Sequence, residues 1–380
     1  MKILFQYYNG GGGALENIII LLENLANEYP DDEFVIVCNA ASKLNRLAHM
    51  TNVRIVVPKE FLCKELTRLQ LGFWGLKSIV NKVRPDIVWS MNLGSYVRLK
   101  PVNLLSVNNA HQVYPLKDTG SHPKSKFHVI LMRFFFRLSL KAADCSITQT
   151  EVVKKHLLEI SPDKEVYVFT KVVDERKDIV AALPPREVIE KLNSMGGNIP
   201  MLYIATNYAH KNHKVILDAL DILVRRGKKV SLILSLTEDE AINIGGEIAV
   251  RLIKRNYLCC IGWVDKSWLK YLYDFSYICL MPSTLESLSS AHLEAMAWKV
   301  PQISSNMPFS HETCRDASLY CDKSNANDWS EMIVKLIQDP VIYRELKNKA
   351  ELRINEFPKG WKEVAHKYHD MFLHELNRKV

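Results

Sequence analysis

The sequence has no run of about 20 consecutive apolar residues, so no membrane-spanning helix is expected. Its opening, MKILFQYYNGGGG, carries one lysine and a short apolar stretch, without a long apolar core or a small-residue cleavage site. It reads as a first β-strand and not as a signal peptide. The eight cysteines include no C-x-x-C pair and mostly sit in apolar, strand-like runs. That pattern disfavours zinc sites and disulfide frameworks and fits buried, reduced thiols in a cytosolic protein. There is no repeat of solenoid period and no low-complexity segment, which removes repeat arrays and disordered linkers from consideration.

What remains is a globular chain. Apolar residues make up 48% and charged residues 24% of 380 positions, the composition of a soluble protein with real cores. At roughly 150 residues per domain, this length implies two or three domains. The net charge of +8 is uneven: residues 51–150 hold 15 Lys/Arg against 5 Asp/Glu, a local +10, and the rest sums to −2. An anionic partner is expected for that part of the first half: a membrane surface, a phosphorylated lipid or a nucleic acid.

Short apolar runs alternate with helical patterns along the chain. Strands are expected at 2–7, 34–38, 53–57, 86–90, 103–107, 144–148 and 165–169, then at 201–205, 230–235, 257–261, 277–281, 301–304 and 318–321. Helical periodicity fills the intervals, including 14–28, 74–83, 126–142, 151–159, 212–226, 239–254 and 289–298. Continuous apolar strands alternating with helices indicate parallel sheets covered on both faces. The expected fold is α/β with two Rossmann-like, doubly wound parallel-sheet domains facing a central cleft. Their boundaries are 1–172, a linker at 173–199 marked by Pro184-Pro185 and Gly196-Gly197, 200–356, and a terminal amphipathic helix within 357–380. In such sheets ligands sit at the carboxyl ends of the strands.

Three segments could carry chemistry. The first is the glycine run at 10–13, including Gly11, Gly12 and Gly13, which follows the first strand and opens a helix. It permits close approach of a ligand to the backbone, and equally serves as a flexible turn. The spacing is not G-x-G-x-x-G with a ribose-binding acid, so a dinucleotide site is disfavoured. The second is TNYAHKNH, 206–213, where His210, Lys211 and His213 precede a helix and Lys211 can place a point charge on a phosphate. A solvated basic turn is the plainer reading. The third is LESLSSAHLEAMAW, 285–298, with Glu286 in a serine-rich turn and Glu294 eight positions on, inside the next helix. Ser287, Ser289 and Ser290 are candidate caps, and the N–H groups of that helix start suit a diphosphate. Glu294 could accept both hydroxyls of a ribose, each bond to a charged acceptor contributing roughly 1.5–3 kcal/mol.

The stretch MPSTLESLSSAHLEAMAWKVPQISSNMPFSHETCRDASLYCD resembles the E-x7-E region of retaining GT-B glycosyltransferases of family four, "glycosyl transferases group one". HKNH at 210–213 resembles that family's donor-phosphate lysine motif, and the glycine turn at 10–13 its N-terminal loop. The likeness is strong over 276–322 and loose over the rest of the chain, and it implies that the terminal helix, about 360–378, crosses back onto the N-terminal domain. It implies that Glu294 holds the donor ribose, that Glu286 meets the transferred sugar, and that Lys211 meets the diphosphate. The backbone of Ser287, Leu288, Ser289 and Ser290 would complete the donor site, with His210, Thr206 and Asn207 nearby. Ser287-Leu288-Ser289-Ser290 stands where the family usually has glycines, Thr206 stands where it usually has an arginine, and Thr170-Lys171-Val172 replaces a P-N-G turn. The acceptor-side histidine best matches His111. By this resemblance Glu286, Lys211 and His111 are the catalytic candidates.

The resemblance further implies a retaining hexosyltransferase that uses a UDP- or GDP-linked sugar without a metal or cofactor, in keeping with the lack of any Asp-x-Asp pair. Two glutamates could also suggest a glycosidase pair, disfavoured here by the phosphate-suited helix start. An inactive GT-B partner of an active transferase and a nucleotide-sugar epimerase are the other readings. The implied acceptor is a glycan carried on a lipid, in surface polysaccharide assembly. In KSKFHVILMRFFFRLSLKAAD, Lys126, Arg133, Arg137 and Lys141 fall along one helical stripe, with Phe127, Leu131, Phe134, Phe135, Leu138 and Ala142 on the other side. The expectation is a cytoplasmic chain held peripherally on an anionic membrane by that basic stripe, each exposed cation contributing about 1 kcal/mol. A core helix with a solvated basic face is the competing reading. No nucleic-acid partner is expected, for no such module occurs.

Overall fold

The computed structural model describes residues 1–8, 12–115, 126–173 and 182–379. They form two compact units: one of 1–114, 124–172 and 358–380, the other of 115–123 and 173–357.

The first unit runs β1 (Lys2–Gln6), α1 (Gly12–Glu28), β2 (Glu33–Val37), β3 (Val53–Val56), α2 (Lys64–Gln70) and α3 (Leu76–Val83). It continues with β4 (Ile87–Met91), β5 (Val102–Ser106), α4 (Ala110–Val113), α5 (Lys126–Ala142), β6 (Cys145–Thr148), α6 (Glu151–Ile160) and β7 (Glu165–Val168). The strands pair in parallel in the order β3-β2-β1-β4-β5-β6-β7. Because strand side chains alternate, Ile3 and Phe5 of β1 enter a core shared with α1, whereas Leu4 enters another with Leu76 and Val80 of α3.

The second unit runs α7 (Arg186–Asn193), β8 (Ile199–Tyr203), α8 (His213–Arg225), β9 (Val230–Leu234), α9 (Glu238–Gly245), α10 (Glu247–Lys254) and β10 (Leu258–Cys260). Then follow α11 (Leu269–Phe275), β11 (Ile278–Met281), α12 (Ser290–Ala297), β12 (Gln302–Ser305), α13 (Pro308–Cys314), β13 (Ser318–Cys321), α14 (Ala326–Gln338) and α15 (Pro340–Ile354). Its sheet is parallel in the order β10-β9-β8-β11-β12-β13. The doubly wound α/β expectation is met in both units.

Local differences have physical causes. The one helix expected in the linker, around 186–193, forms as α7, but its Val188 and Leu192, with Met195 beyond it, lie in the core of the second unit. The single helix expected over 239–254 is two, because Gly246 takes φ 58°, ψ −137°, a backbone open essentially to glycine alone. The last helix, α16 (Trp361–Lys379), belongs to the first unit: Val364, Ala365, Tyr368, Met371 and Phe372 join the core behind α1. His369 at mid-helix meets Asp32 at 3.0 Å and Lys379 at its last turn meets Asp144 at 2.7 Å, which ties the helix to this unit at two points.

The helix over 126–142 forms as expected but turns differently. Arg133 is only part-exposed; its Nε donates to the His111 carbonyl at 3.0 Å and its terminal nitrogen to the Tyr114 carbonyl. Burial, and then Arg137 beside it, lowers its pKa. Phe127, Leu131 and Phe134, placed opposite the basic stripe, are exposed, as the core-helix reading would not have them. The basic-stripe expectation is therefore corrected: Arg137 and Lys141 are exposed, Arg133 is engaged in the fold, and the side chain of Lys126 lies outside the described residues.

Candidate functional site

Two loops meet at the switch point of the second sheet. β8 and β11 lie side by side there, with Met201 opposite Ile278 and Leu202 opposite Cys279, while the order departs toward β9 on one side and β12 on the other. Ligands bind at the carboxyl ends of such a strand pair. The loop after β8 ends in a tight turn at Ala209–Lys211 and then Asn212, whose left-handed φ of 54° suits asparagine. Asn212 Nδ2 donates to the carbonyls of Pro282 (3.2 Å) and Lys323 (2.7 Å), so the turn is tied to the loop after β11. The Thr284 N–H donates to the His210 carbonyl at 2.8 Å. The buried Tyr203 hydroxyl donates to the Lys211 carbonyl at 2.8 Å and lies 3.1 Å from Ser283 Oγ. Ser305 Oγ closes the clamp from β12 by donating to the Ser283 carbonyl.

This clamp brings the charged residues together. Lys211 Nζ donates to Glu286 Oε1, and both side chains are largely shielded from solvent. Burial alone would push the Glu286 carboxyl up, but the Lys211 ammonium, with His210 and Ser283 adding to it, holds it below its usual range. Glu286 is thus an ionised acceptor with its counterion in place. Glu294, one turn into α12, accepts from the hydroxyl of buried Tyr273 at 3.1 Å. A fixed donor on one carboxylate oxygen orients the group for a ligand's hydroxyls.

Two imidazoles flank the pair. His213, first in α8, is buried against Tyr203 with ring centroids 4.9 Å apart, and its Nε2 has no hydrogen-bond partner. Burial, then Lys211, lowers its pKa to about 4. His292 in the first turn of α12 is buried; its Nδ1 lies 2.8 Å from Gln302 Oε1, and its Nε2 is likewise without a partner. Burial is the main cause that lowers its pKa, despite the Gln302 bond and the nearby Glu286 carboxylate. Both lowered pKa values favour the neutral ring at pH 7, so the imidazoles add polarity without adding charge beside the Lys211–Glu286 pair.

The helix start itself is plain. Ser289 is the N-cap of α12 with an extended backbone, and its side chain makes no capping bond, so the hydroxyl does not occupy the first-turn N–H groups.

Residues 186–353 match the model of the family described as glycosyl transferases group 1. The second unit is a group 1 glycosyl transferase domain. The chain is similar to the O-antigen chain mannosyltransferase RfbU of Salmonella typhimurium, 23% identical over 278 residues that cover 69% of this chain and 74% of that protein. Its fold is similar to the N-terminal domain of Candida albicans trehalose-6-phosphate phosphatase, with a TM-score of 0.72 at 12% identity over 98% and 97% of the two chains. Sucrose-phosphate synthase of Thermosynechococcus elongatus scores 0.69 at 15% identity, covering 98% of each chain. Anabaena HepE, solved with UDP and glucose, scores 0.69 at 14% identity over 98% of this chain and 100% of its own.

In this transferase domain the structure brings Lys211, His210, Glu286 and Glu294 to one strand pair. Ser287, Ser289 and Ser290 surround the helix start, whereas the Leu288 side chain is buried against Leu293 and Met296, leaving only its backbone for a ligand. Thr206 and Asn207 stay exposed on the turn; among the described residues, no side-chain hydrogen bond joins them to the Lys211–Glu286 pair. In the first unit Gly12 and Gly13 begin α1, and Gly11 lies outside the described residues. His111 is buried on α4, whose N-cap Asn109 accepts from the His111 N–H at 3.1 Å. Sequence reasoning missed Tyr273, Tyr203, Ser283 and His292. A partial signal existed for His292 alone, which lies between the two glutamates.

Proposed function

We propose that this chain is a retaining hexosyltransferase. It moves a hexose from a UDP- or GDP-linked donor to a glycan acceptor carried on a lipid, in surface polysaccharide assembly at the cytoplasmic face of a membrane. The observation that carries this reading is the Lys211–Glu286 pair clamped at the β8–β11 switch point with Glu294 one turn into the adjoining helix. Lys211 supplies the cation for a diphosphate, the first turn of α12 supplies N–H donors, and Glu294 receives the ribose hydroxyls. Glu286 faces the sugar. The similar mannosyltransferase RfbU and the UDP bound in the similar Anabaena structure support the donor class by analogy.

In the proposed step the bond from the sugar's anomeric carbon to the diphosphate oxygen breaks. The acceptor hydroxyl oxygen bonds to that carbon on the same face, and its proton passes to the departing phosphate oxygen. No protein base is needed. The enzyme's part is positioning and charge stabilisation of the leaving group, for which Lys211 must turn from Glu286 toward phosphate. His111 is assigned to a hydroxyl of the sugar near the reacting carbon, and no metal is assigned a role.

Thermal shift with UDP, GDP, ADP and CMP checks the donor site: one diphosphate is expected to raise Tm, and Glu294→Ala to remove that rise. Transfer or donor hydrolysis is expected to fall at least about tenfold in Glu294→Ala, the loss of one charge-assisted bond. A chain with no turnover on any donor, and no response to any nucleotide, would not be an enzyme of this kind.

A further inference from the structure

On α5, Phe127, Ile130, Leu131 and Phe134 are 73%, 57%, 39% and 55% exposed. They stand at i, i+3, i+4 and i+7, one unbroken stripe on a helix whose opposite face is buried through Val129, Phe136 and Leu140. Next to this stripe the chain makes a π-helical turn, Leu71–Gly75, between α2 and α3. Such turns are rare and recur at functional sites. It sets Phe73 and Trp74 outward, 42% and 60% exposed. The two elements form one surface, linked ring to ring: Trp74 to Phe73 at 6.1 Å, Phe73 to Phe135 at 6.0 Å, and Phe135 to Phe134 at 5.4 Å between centroids. Tyr96 fixes their junction. Its ring stacks on Phe135 at 5.0 Å and covers Gly72, where any side chain would collide with it.

An apolar patch of this size on a chain rich in polar surface marks a contact. Charge tells which kind. Neither α5 nor α3 contains an acidic residue; exposed Arg137 and Lys141 continue the stripe one and two turns on, and exposed Lys77 follows Trp74 by one turn. Aromatic and aliphatic side chains rimmed by cations match a bilayer interface, where rings sit at headgroup level and cations meet phosphate.

We propose that the solvent face of α5, with Phe73 and Trp74 of the adjoining π-turn, inserts into an anionic bilayer surface. Arg137, Lys141 and Lys77 then contact lipid phosphates. The proposal rests on the lipid-linked acceptor reading and goes beyond it: the anchor is an apolar wedge, and the cations select the lipid.

The test is vesicle co-sedimentation of the full chain with phosphatidylcholine alone and with phosphatidylglycerol added, at low and high salt. Wild type is expected to prefer anionic vesicles and to retain part of its binding at high salt, because apolar insertion is not screened as charges are. Phe134→Glu with Trp74→Glu is expected to weaken binding by about tenfold or more, and Arg137→Glu with Lys141→Glu to abolish the anionic preference. Circular dichroism melts confirm that the variants fold, and Phe134→Ser is the milder alternative if they do not. Undiminished binding in the Phe134/Trp74 variant, or complete release by salt, overturns the proposal. So does a lipid-free dimer that Phe134→Glu converts to monomer, which would make the patch an interface between copies. Donor hydrolysis is read in parallel. Wild-type turnover without vesicle binding overturns this surface alone, whereas absent turnover overturns the transferase reading.

Discussion

His213 shows how burial sets the charge around the Lys211–Glu286 pair. The ring is buried and sits near the Lys211 ammonium, so its pKa falls from 6.5 to about 4, although its hydrogen bond to the Ala205 backbone acts the other way. Between those values the unfolded chain binds a proton there and the folded chain does not, so stability rises with pH across that window. Urea unfolding from pH 7 down to pH 4 is expected to show a loss of up to about 1.4 kcal/mol per pH unit from this group. His213→Gln, which cannot titrate, should lack that component, and identical pH slopes for the two proteins would refute the assignment. Glu286 acts with the opposite polarity: its lowered carboxyl contributes stability above the unfolded carboxylate range, lost only as pH drops through its folded value. Glu286, Glu294 and Lys211 were legible in the sequence because each lies in a short local motif. Tyr273 was not, since it reaches Glu294 from 21 residues earlier, a distance only the strand between them closes.

At the scale of elements, helices and strands were legible wherever one face alone is apolar, as in α8, or where an apolar run is short and continuous, as in β9. Two failures have defined causes. α5 is apolar nearly all round, so periodicity could not tell which Phe faces inward; Phe136 is buried and Phe134 is exposed. The α9–α10 break was hidden because Gly245-Gly246 interrupts an otherwise helical pattern by a backbone angle and not by a change of polarity. Gly246→Ala is expected to cost about 1–3 kcal/mol, since a Cβ is poorly tolerated at that φ and ψ. Equilibrium denaturation measures it; a neutral effect would mean the helices have merged, which a rise in helical circular dichroism would reveal. Gly245 allows little more, for a Cβ there would lie 2.9 Å from that of Ala249 and 3.0 Å from Leu217 Cδ1.

For the whole molecule, α16 is the decisive segment. Its five buried apolar side chains, at roughly 1.5–3 kcal/mol for each large one, supply on the order of 10 kcal/mol, comparable with the entire net stability of a domain. A chain ending at Phe357 is expected to lose hydrogen-exchange protection in β1, β4 and α1 while β8, β9 and β11 keep theirs. Equal loss in both units, or none in either, would contradict the division drawn here. The sequence made the helix visible through its amphipathic pattern. Its attachment to the first unit came only from the family resemblance, because no local signal names a partner more than three hundred residues away. That attachment reverses the order of birth and maturity: as the chain emerges from a ribosome, the first unit must wait for a helix made after all the strands of the second. The transferase domain has all its strands and can close while its elder neighbour still exposes the groove beside α1. Every newly made molecule therefore passes through a period in which its transferase domain is finished and its first unit still exposes apolar surface.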